Sequence, residues 1–230
     1  LHSGHTRIRG NGNVPLDYGD LTVAEILKKK KYDTCVLGKW GLGEAGSTGL
    51  PNLQGFDEWF GFLNQKKAHN HFPEVVWRNQ QLWQFPENSE GKQGLFIHYK
   101  FTDAAINYIK TPRKAPFFLY LAHSMPHVPL FRSKQFEGHS LRGLYGDVIE
   151  EIDWSVGQVL SALTENGLDK NTLVFFTSDN GPWLTQGPAG GSAGLLREGK
   201  GSTWEGGMRE PAIAWWPGQI QPGSVSSELA

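Results

Sequence analysis

The sequence predicts an α/β fold: a mainly parallel or mixed sheet sandwiched by helices. Three observations lead there. Helical patterns alternate with short apolar runs along the chain, and those runs are apolar on both faces, as strands covered from both sides are. No internal repeat and no clear linker divides the 230 residues, a length that suits one substantial core.

The elements follow in order. Thr22-Val23-Ala24-Glu25 is a capping-box pattern, and Val23, Ile26 and Leu27 share one face of the helix it starts. Lys28 to Lys31 fall in its last turn, where cations suit the helix dipole; a solvated helix end explains them better than a polyanion patch. Residues 33–39 read as a short strand ending in glycine and charge. A helix over 102–110 turns Phe101, Ala105, Ile106 and Ile109 inward and leads to an apolar run at 116–121. Tyr145, Val148, Ile152, Val156, Val159 and Leu163 step by three or four residues, a long amphipathic helix that Asn166-Gly167 stops. Buried strands are expected at 173–176 and at 212–216, the second ending at Pro217-Gly218.

Composition narrows the function classes. The net charge is -1, with 22 basic and 23 acidic side chains, so the broad basic field of a nucleic-acid binder is absent and no nucleic-acid partner is expected. A single cysteine excludes an internal disulfide framework. No stretch approaches about 18 apolar residues, so no membrane segment is expected in this chain. Both ends read as cut: the chain opens on Leu1-His2-Ser3 and stops as a new segment begins, which suggests a fragment.

In an open parallel sheet the ligand crevice lies beyond the carboxyl ends of the strands. The residues just after the three best strands are Lys39, His123 to His127, and Asp179-Asn180, all suited to an anion or a metal. Asp179 and Asn180 offer hard oxygen donors for calcium or magnesium, although D-N-G also closes strands as an Asx turn. His123 and His127 lie four apart in a proline-stiffened loop; with no matching cysteine or third ligand for zinc, contact with an anion or proton exchange with a leaving group fits better. Lys200 sits among glycines in Gly199-Lys200-Gly201, as Lys39 does in Gly38-Lys39-Trp40-Gly41; neither is a P-loop.

Together these motifs resemble those of the type I sulfatases, the arylsulfatase branch of the alkaline-phosphatase-like superfamily. The matching stretches are G-K-W-x-L-G at 38–43, H-x-x-x-H-x-P at 123–129, T-S-D-N-G at 177–181, and the long block G-L-L-R-E-G-K-G-S-T-W-E-G-G-M-R-E-P at 194–211. The resemblance runs along essentially the whole chain, with 1–12 similar to the segment just after the family's signature. It implies an alkaline-phosphatase-like fold, here a partial catalytic domain over 1–230. It also implies hydrolysis of a sulfate monoester by a formylglycine made from the cysteine of C-x-P-S-R, beside bound calcium, with magnesium as the alternative ion. By position, Asp179 and Asn180 would be metal ligands. Lys39 and Lys200 would hold sulfate oxygens, and His127, with His123 beside it, would contact the sulfate and help protonate the leaving alcohol. The partner implied is a small-molecule or glycan sulfate ester, and the compartment periplasmic, secreted or lysosomal.

The chain departs from the family pattern in three places. The signature is absent, since Cys35 is followed by Val36-Leu37-Gly38-Lys39 and reads as a buried strand thiol. The family's paired aspartates are also absent. Where G-K-W-H-L-G carries histidine this chain has Gly41, and His69, in Gln65-Lys66-Lys67-Ala68-His69-Asn70-His71, is the candidate to take its place at the substrate. Two other readings stand beside sulfatase: a phosphodiesterase or phosphonate hydrolase of the same superfamily, and a non-catalytic sulfated-glycan binder using tryptophans such as Trp59, Trp77, Trp83 and Trp183. Variable loops at 44–100 and 182–193 are expected to choose the leaving group, and the run 187–192 to gate the crevice.

Overall fold

The computed structural model describes residue 12 and residues 14–228, so the stretch compared with the signature's flank lies, apart from Gly12, outside the described residues. Leu1–Ser133 and Lys134–Ala230 form two compact units.

In the first unit, α1 (Val23–Lys29) begins at the expected capping box. The Thr22 hydroxyl accepts from the Glu25 amide at 3.1 Å, and the Glu25 carboxylate accepts from the Thr22 amide at 2.8 Å. Its buried face is not the expected one. Ala24 is buried, whereas Val23 and Ile26 are 55% and 46% exposed. The reason is a close backbone approach: a Cβ on Gly55 would lie 2.5 Å from the Glu25 nitrogen, and only a small residue fits between this short helix and the 54–55 segment.

Strand β1 (Asp33–Lys39) is an interior strand and is buried except at its ends. It pairs in parallel with β2 (Glu58–Phe62) on one side and, on the other, with β5 (Phe117–Ala122). An antiparallel hairpin, β3 (Val75–Arg78) and β4 (Gln81–Gln84), extends the sheet beyond β2, giving the order β4-β3-β2-β1-β5. Three of the five strands thus come from the region read as variable loop. Strand β5 lies at the edge and is half-buried, with Tyr120 exposed.

Side chains alternate between the two faces, as the pleat requires. Trp59 and Trp77 join Ala24, Val36, Phe56 and Leu63 on the α1 side. Phe60 and Val76 join Phe62, Phe85 and the α2 residues Ile97 and Phe101 on the other. Helix α2 (Ile97–Lys110) starts five residues before the expected 102, and it buries Phe101, Ala105 and Ile109 together with His98 and Thr102.

In the second unit, α3 (Gly143–Glu165) is the expected long helix and buries Val148, Ile152 and Leu163. Asp147, Glu151 and Ser155 are buried with them; Asp147 accepts from the backbone amides of Gly138 and Ser140 at 3.0 and 2.8 Å, tying down the preceding loop. The last two strands correct the expectation of buried, parallel partners. β6 (Val174–Thr177) and β7 (Ala212–Trp215) pair antiparallel, and Phe175 and Ile213 are 51% and 62% exposed. Among the described residues this ribbon gains no third strand, so its apolar side chains have little to pack against. Residues 187–192 close back on Trp183, whose amide donates to the Gly190 carbonyl at 2.9 Å.

Candidate active site

The carboxyl edge of β1, β2 and β5 carries the first half of the candidate residues. Lys39 ends β1, paired with Phe62 at the end of β2, and Gly38 pairs with Ala122, so His123 emerges beside Lys39 at the same edge. The backbone here is tightly drawn together. A Cβ on Gly38, whose φ is 103°, would lie 1.9 Å from the Ala122 carbonyl oxygen, and one on Gly61 1.9 Å from that of Gly38. Beyond the edge, the Trp40 and Gly41 amides donate to the Phe62 and Leu63 carbonyls, both at 3.0 Å, which keeps the two loops side by side.

The loop after β2 meets the loop after β5 through histidines. The rings of His69 and His127 stack with centroids 4.2 Å apart and planes 10° from parallel. His71, two residues on, is buried and bonds the Pro129 carbonyl at 2.7 Å, with Phe96 and Phe131 against its ring. This second contact pins the same pair of loops. Nδ1 of His127 lies 2.7 Å from the Val128 carbonyl; since a carbonyl only accepts, Nδ1 carries hydrogen. His123 lies 5.1 Å from His98 of α2. Its Nδ1 is sealed from solvent with no hydrogen-bond partner among the described residues, and burial, with a smaller effect of His98, pushes its pKa down to about 3. His123 is therefore a neutral imidazole at ordinary pH.

Gly41, where the family pattern has histidine, has a φ of 82°, and a Cβ there would lie 2.4 Å from Cγ of Gln65. A side chain at 41 is disfavoured by the backbone conformation and would have to displace the Gln65 side chain, while His69 from the same loop reaches His127. Cys35 is buried in β1, and burial raises its thiol pKa, as expected of an inert strand thiol.

The second half of the candidates belongs to the second unit. Asp179-Asn180-Gly181 follows β6, and the 194–211 block folds back on it. The Gly181 amide donates to the Gly207 carbonyl at 3.3 Å, and the Lys200 amide to that of Pro182 at 2.9 Å. A Cβ on Gly181 would lie 1.8 Å from the Gly206 oxygen, and one on Gly206 2.0 Å from the Glu198 oxygen. Glycine is required on both sides of this contact, which accounts for the G-G in the long block. The Lys200 ammonium lies 5.2 Å from the centre of the Trp183 ring.

Glu210 is the residue that sequence reasoning missed. Extending the β6–β7 register (Thr177 opposite Ala212) by two places sets Glu210 opposite Asp179. Its Oε1 is buried without a hydrogen-bond partner among the described residues, and burial, then the Asp179 charge, raises its pKa. The readable signal was R-E-P at the head of the last apolar run. Two facing carboxylates and the Asn180 carbonyl have the chemistry of a hard-cation site. They are a partial set against the six to eight oxygens calcium takes, and no group of three or more His, Cys, Asp or Glu side chains able to hold a metal occurs among the described residues. No helix among them is long and apolar enough to cross a membrane.

Comparison with known proteins identifies the family. The Sulfatase family model matches residues 2–230. The N-acetylgalactosamine-6-sulfatase of Mus musculus is 47% identical over 89% of this chain and 41% of its own length. Arylsulfatase A of Bos taurus is 39% identical over 100% of this chain and 48% of its own. The chain thus spans less than half of these relatives. Among solved structures, Ps i-CgsB in complex with k-i-k-neocarrahexaose superposes with a TM-score of 0.77 at 29% identity, over 90% of this chain and 49% of that one. The PsFucS1 sulfatase from Pseudoalteromonas sp. gives 0.70 at 28%, over 90% and 49%. An α/β fold with a mixed sheet and a family match over residues 2–230 lead to one conclusion: this chain belongs to the sulfatase family.

Proposed function

We propose that the protein carrying this chain hydrolyses sulfate monoesters, with a sulfated glycan as the substrate class. The observation that supports this most directly is the family match over 2–230, within which Lys39, His127, Asp179, Asn180 and Lys200 all fall. The glycan class draws on relatives named N-acetylgalactosamine-6-sulfatase and on a neighbour solved with a neocarrahexaose.

In this reading Lys39 and Lys200 hold sulfate oxygens and offset the negative charge that grows on them as the ester bond breaks. His127, its Nδ1–H held by Val128, acts as the imidazolium: it gives its Nε2 proton to the departing alcohol oxygen and is left as the neutral Nδ1–H imidazole. His69, stacked on it, fixes the ring plane and takes the substrate-side place that Gly41 leaves open. His123, uncharged, orients rather than supplies a proton. Asp179 and Asn180, with Glu210 beside them, would hold calcium, or magnesium in its place; bound there, the cation adds positive charge at a sulfate oxygen. The nucleophile of this reading, a formylglycine in C-x-P-S-R, is not among these 230 residues, whose one cysteine is Cys35.

The test uses the full-length protein with a chromogenic aryl sulfate and the matching aryl phosphate. Turnover of the sulfate is expected, with Lys39→Ala, Lys200→Ala and His127→Ala each lowering kcat by about 10²–10³-fold. Preference for the phosphate, or unchanged turnover in all three variants, overturns the reading.

A further inference from the structure

A groove opens beside the β3–β4 hairpin of the first unit's sheet. It holds about 660 Å³ and is lined by Lys28, Asn52, Asp57, Arg78, Gln80 and Trp83, among others. Asp57 immediately precedes β2 and binds the Thr34 amide at the start of β1, so the groove lies where the parallel strands begin. Lys39 lies where they end. The Trp83 side of the groove is set apart differently, on β4, three strands or roughly 14 Å across the sheet from β1.

The floor is built rather than incidental. The Asn52 amide nitrogen donates to the carbonyls of Phe56 and Asp57 at 3.1 and 3.2 Å and to Oδ1 of Asn79 at 3.3 Å. Asn79 turns the β3–β4 hairpin with a φ of 52°, and it accepts the Trp59 amide and indole N–H at 3.0 and 2.6 Å. On this rigid base stands a wall of different character. The Trp83 indole is 45% exposed on the edge strand, with the Arg78 guanidinium 5.2 Å from its ring centre. The amides of Gln80 and Gln81 are exposed beside it. Lys28 pairs with Asp57, and Lys29, Lys30 and Lys31 follow it, all exposed.

We propose that this groove binds an anionic sugar chain, a sulfated glycan, away from the catalytic edge. An exposed indole offers a flat apolar face to a sugar ring. Free amides suit ring hydroxyls, and a guanidinium takes a sulfate in a fork. The basic run beside the groove draws a polyanion toward it. A polymeric substrate held here stays near the enzyme between cleavages. The identity of the ligand rests on the sulfated-glycan reading above; the groove itself does not.

The experiment uses the full-length protein, chondroitin sulfate as the probe, its desulfated form, and a single-stranded oligonucleotide. Trp83→Ala and Arg78→Ala are each expected to weaken chondroitin sulfate binding by about tenfold. Hydrolysis of a small aryl sulfate should stay within about twofold, because β2 stands between Arg78 and β1, and β3 and β2 between Trp83 and β1. Gln80→Ala, on the exposed hairpin turn, guards against a folding defect and should weaken binding to a lesser degree. Unchanged binding in all three variants overturns the proposal, as does equal affinity for the desulfated chain or tighter binding of the oligonucleotide. If wild type binds chondroitin sulfate through Trp83 yet cleaves no sulfate ester, the groove stands and the catalytic reading falls.

Discussion

At the scale of the residue, His123 shows how burial turns a motif histidine into a titration liability. Its pKa falls from 6.5 to about 3, so between those values the unfolded chain binds a proton that the folded one refuses. Stability attached to this group is intact above about pH 6.5 and drains away as the pH falls toward 3, by up to about 1.4 kcal/mol per pH unit. His123→Gln removes this slope. Its melting temperature should fall less steeply than that of wild type between pH 6.5 and 4, and parallel curves would refute the assignment. His98 is in both proteins, so the difference isolates residue 123. The residue scale was also the most legible one. Lys39, His123, His127, Asp179 and Lys200 were readable because each follows a strand or sits among glycines. Glu210 was not, because its relation to Asp179 exists only through the antiparallel register of β6 and β7. The stacking of His69 on His127 likewise joins residues 58 positions apart, which no local pattern encodes.

At the scale of the element, the first unit's sheet tolerates no added side chain just before the candidate site begins. Gly61, Gly38 and Ala122 form one row across β2, β1 and β5, directly before Lys39 and His123. Gly38→Ala would push a methyl group against the Ala122 carbonyl at a φ of 103°, a conformation alanine seldom adopts. We expect a loss of at least about 2 kcal/mol in a urea titration, since the only relief is to separate two paired strands. A loss below about 0.5 kcal/mol, the size of an ordinary surface change, would show that the row is not close-packed. The same scale explains what the sequence concealed. Runs at 33–39 and 116–121 were visible because they are apolar throughout. β2 is short and broken by Gly61, and β3 and β4 mix tryptophan with arginine and glutamine, so their pattern is that of a hairpin with one wet face. The α1 face was misread because a single tight backbone contact at Gly55 outweighed three larger apolar side chains.

At the scale of the whole molecule, the two units differ in how well they cover their strands. The first unit buries β1 between two hydrophobic clusters. The second leaves β6 and β7 with Leu173, Phe175, Phe176 and Ile213 between 37% and 62% exposed. Apolar surface of this kind on a two-stranded ribbon invites association, since pairing its edge or covering its face removes apolar area from water at about 25 cal/mol per Å². These 230 residues expressed alone should therefore bind a hydrophobic dye such as ANS in the folded state and sediment as a concentration-dependent mixture. Replacing Phe175 and Ile213 together by threonine, which keeps β propensity while removing apolar area, should reduce both signals without lowering the melting temperature by more than a few degrees. The same preparation should leave an aryl sulfate untouched, because none of its side chains fits the nucleophile that the sulfatase reading requires. A monomer that ignores the dye would show the ribbon to be covered in solution, and sulfate release by the chain alone would place a nucleophile within it.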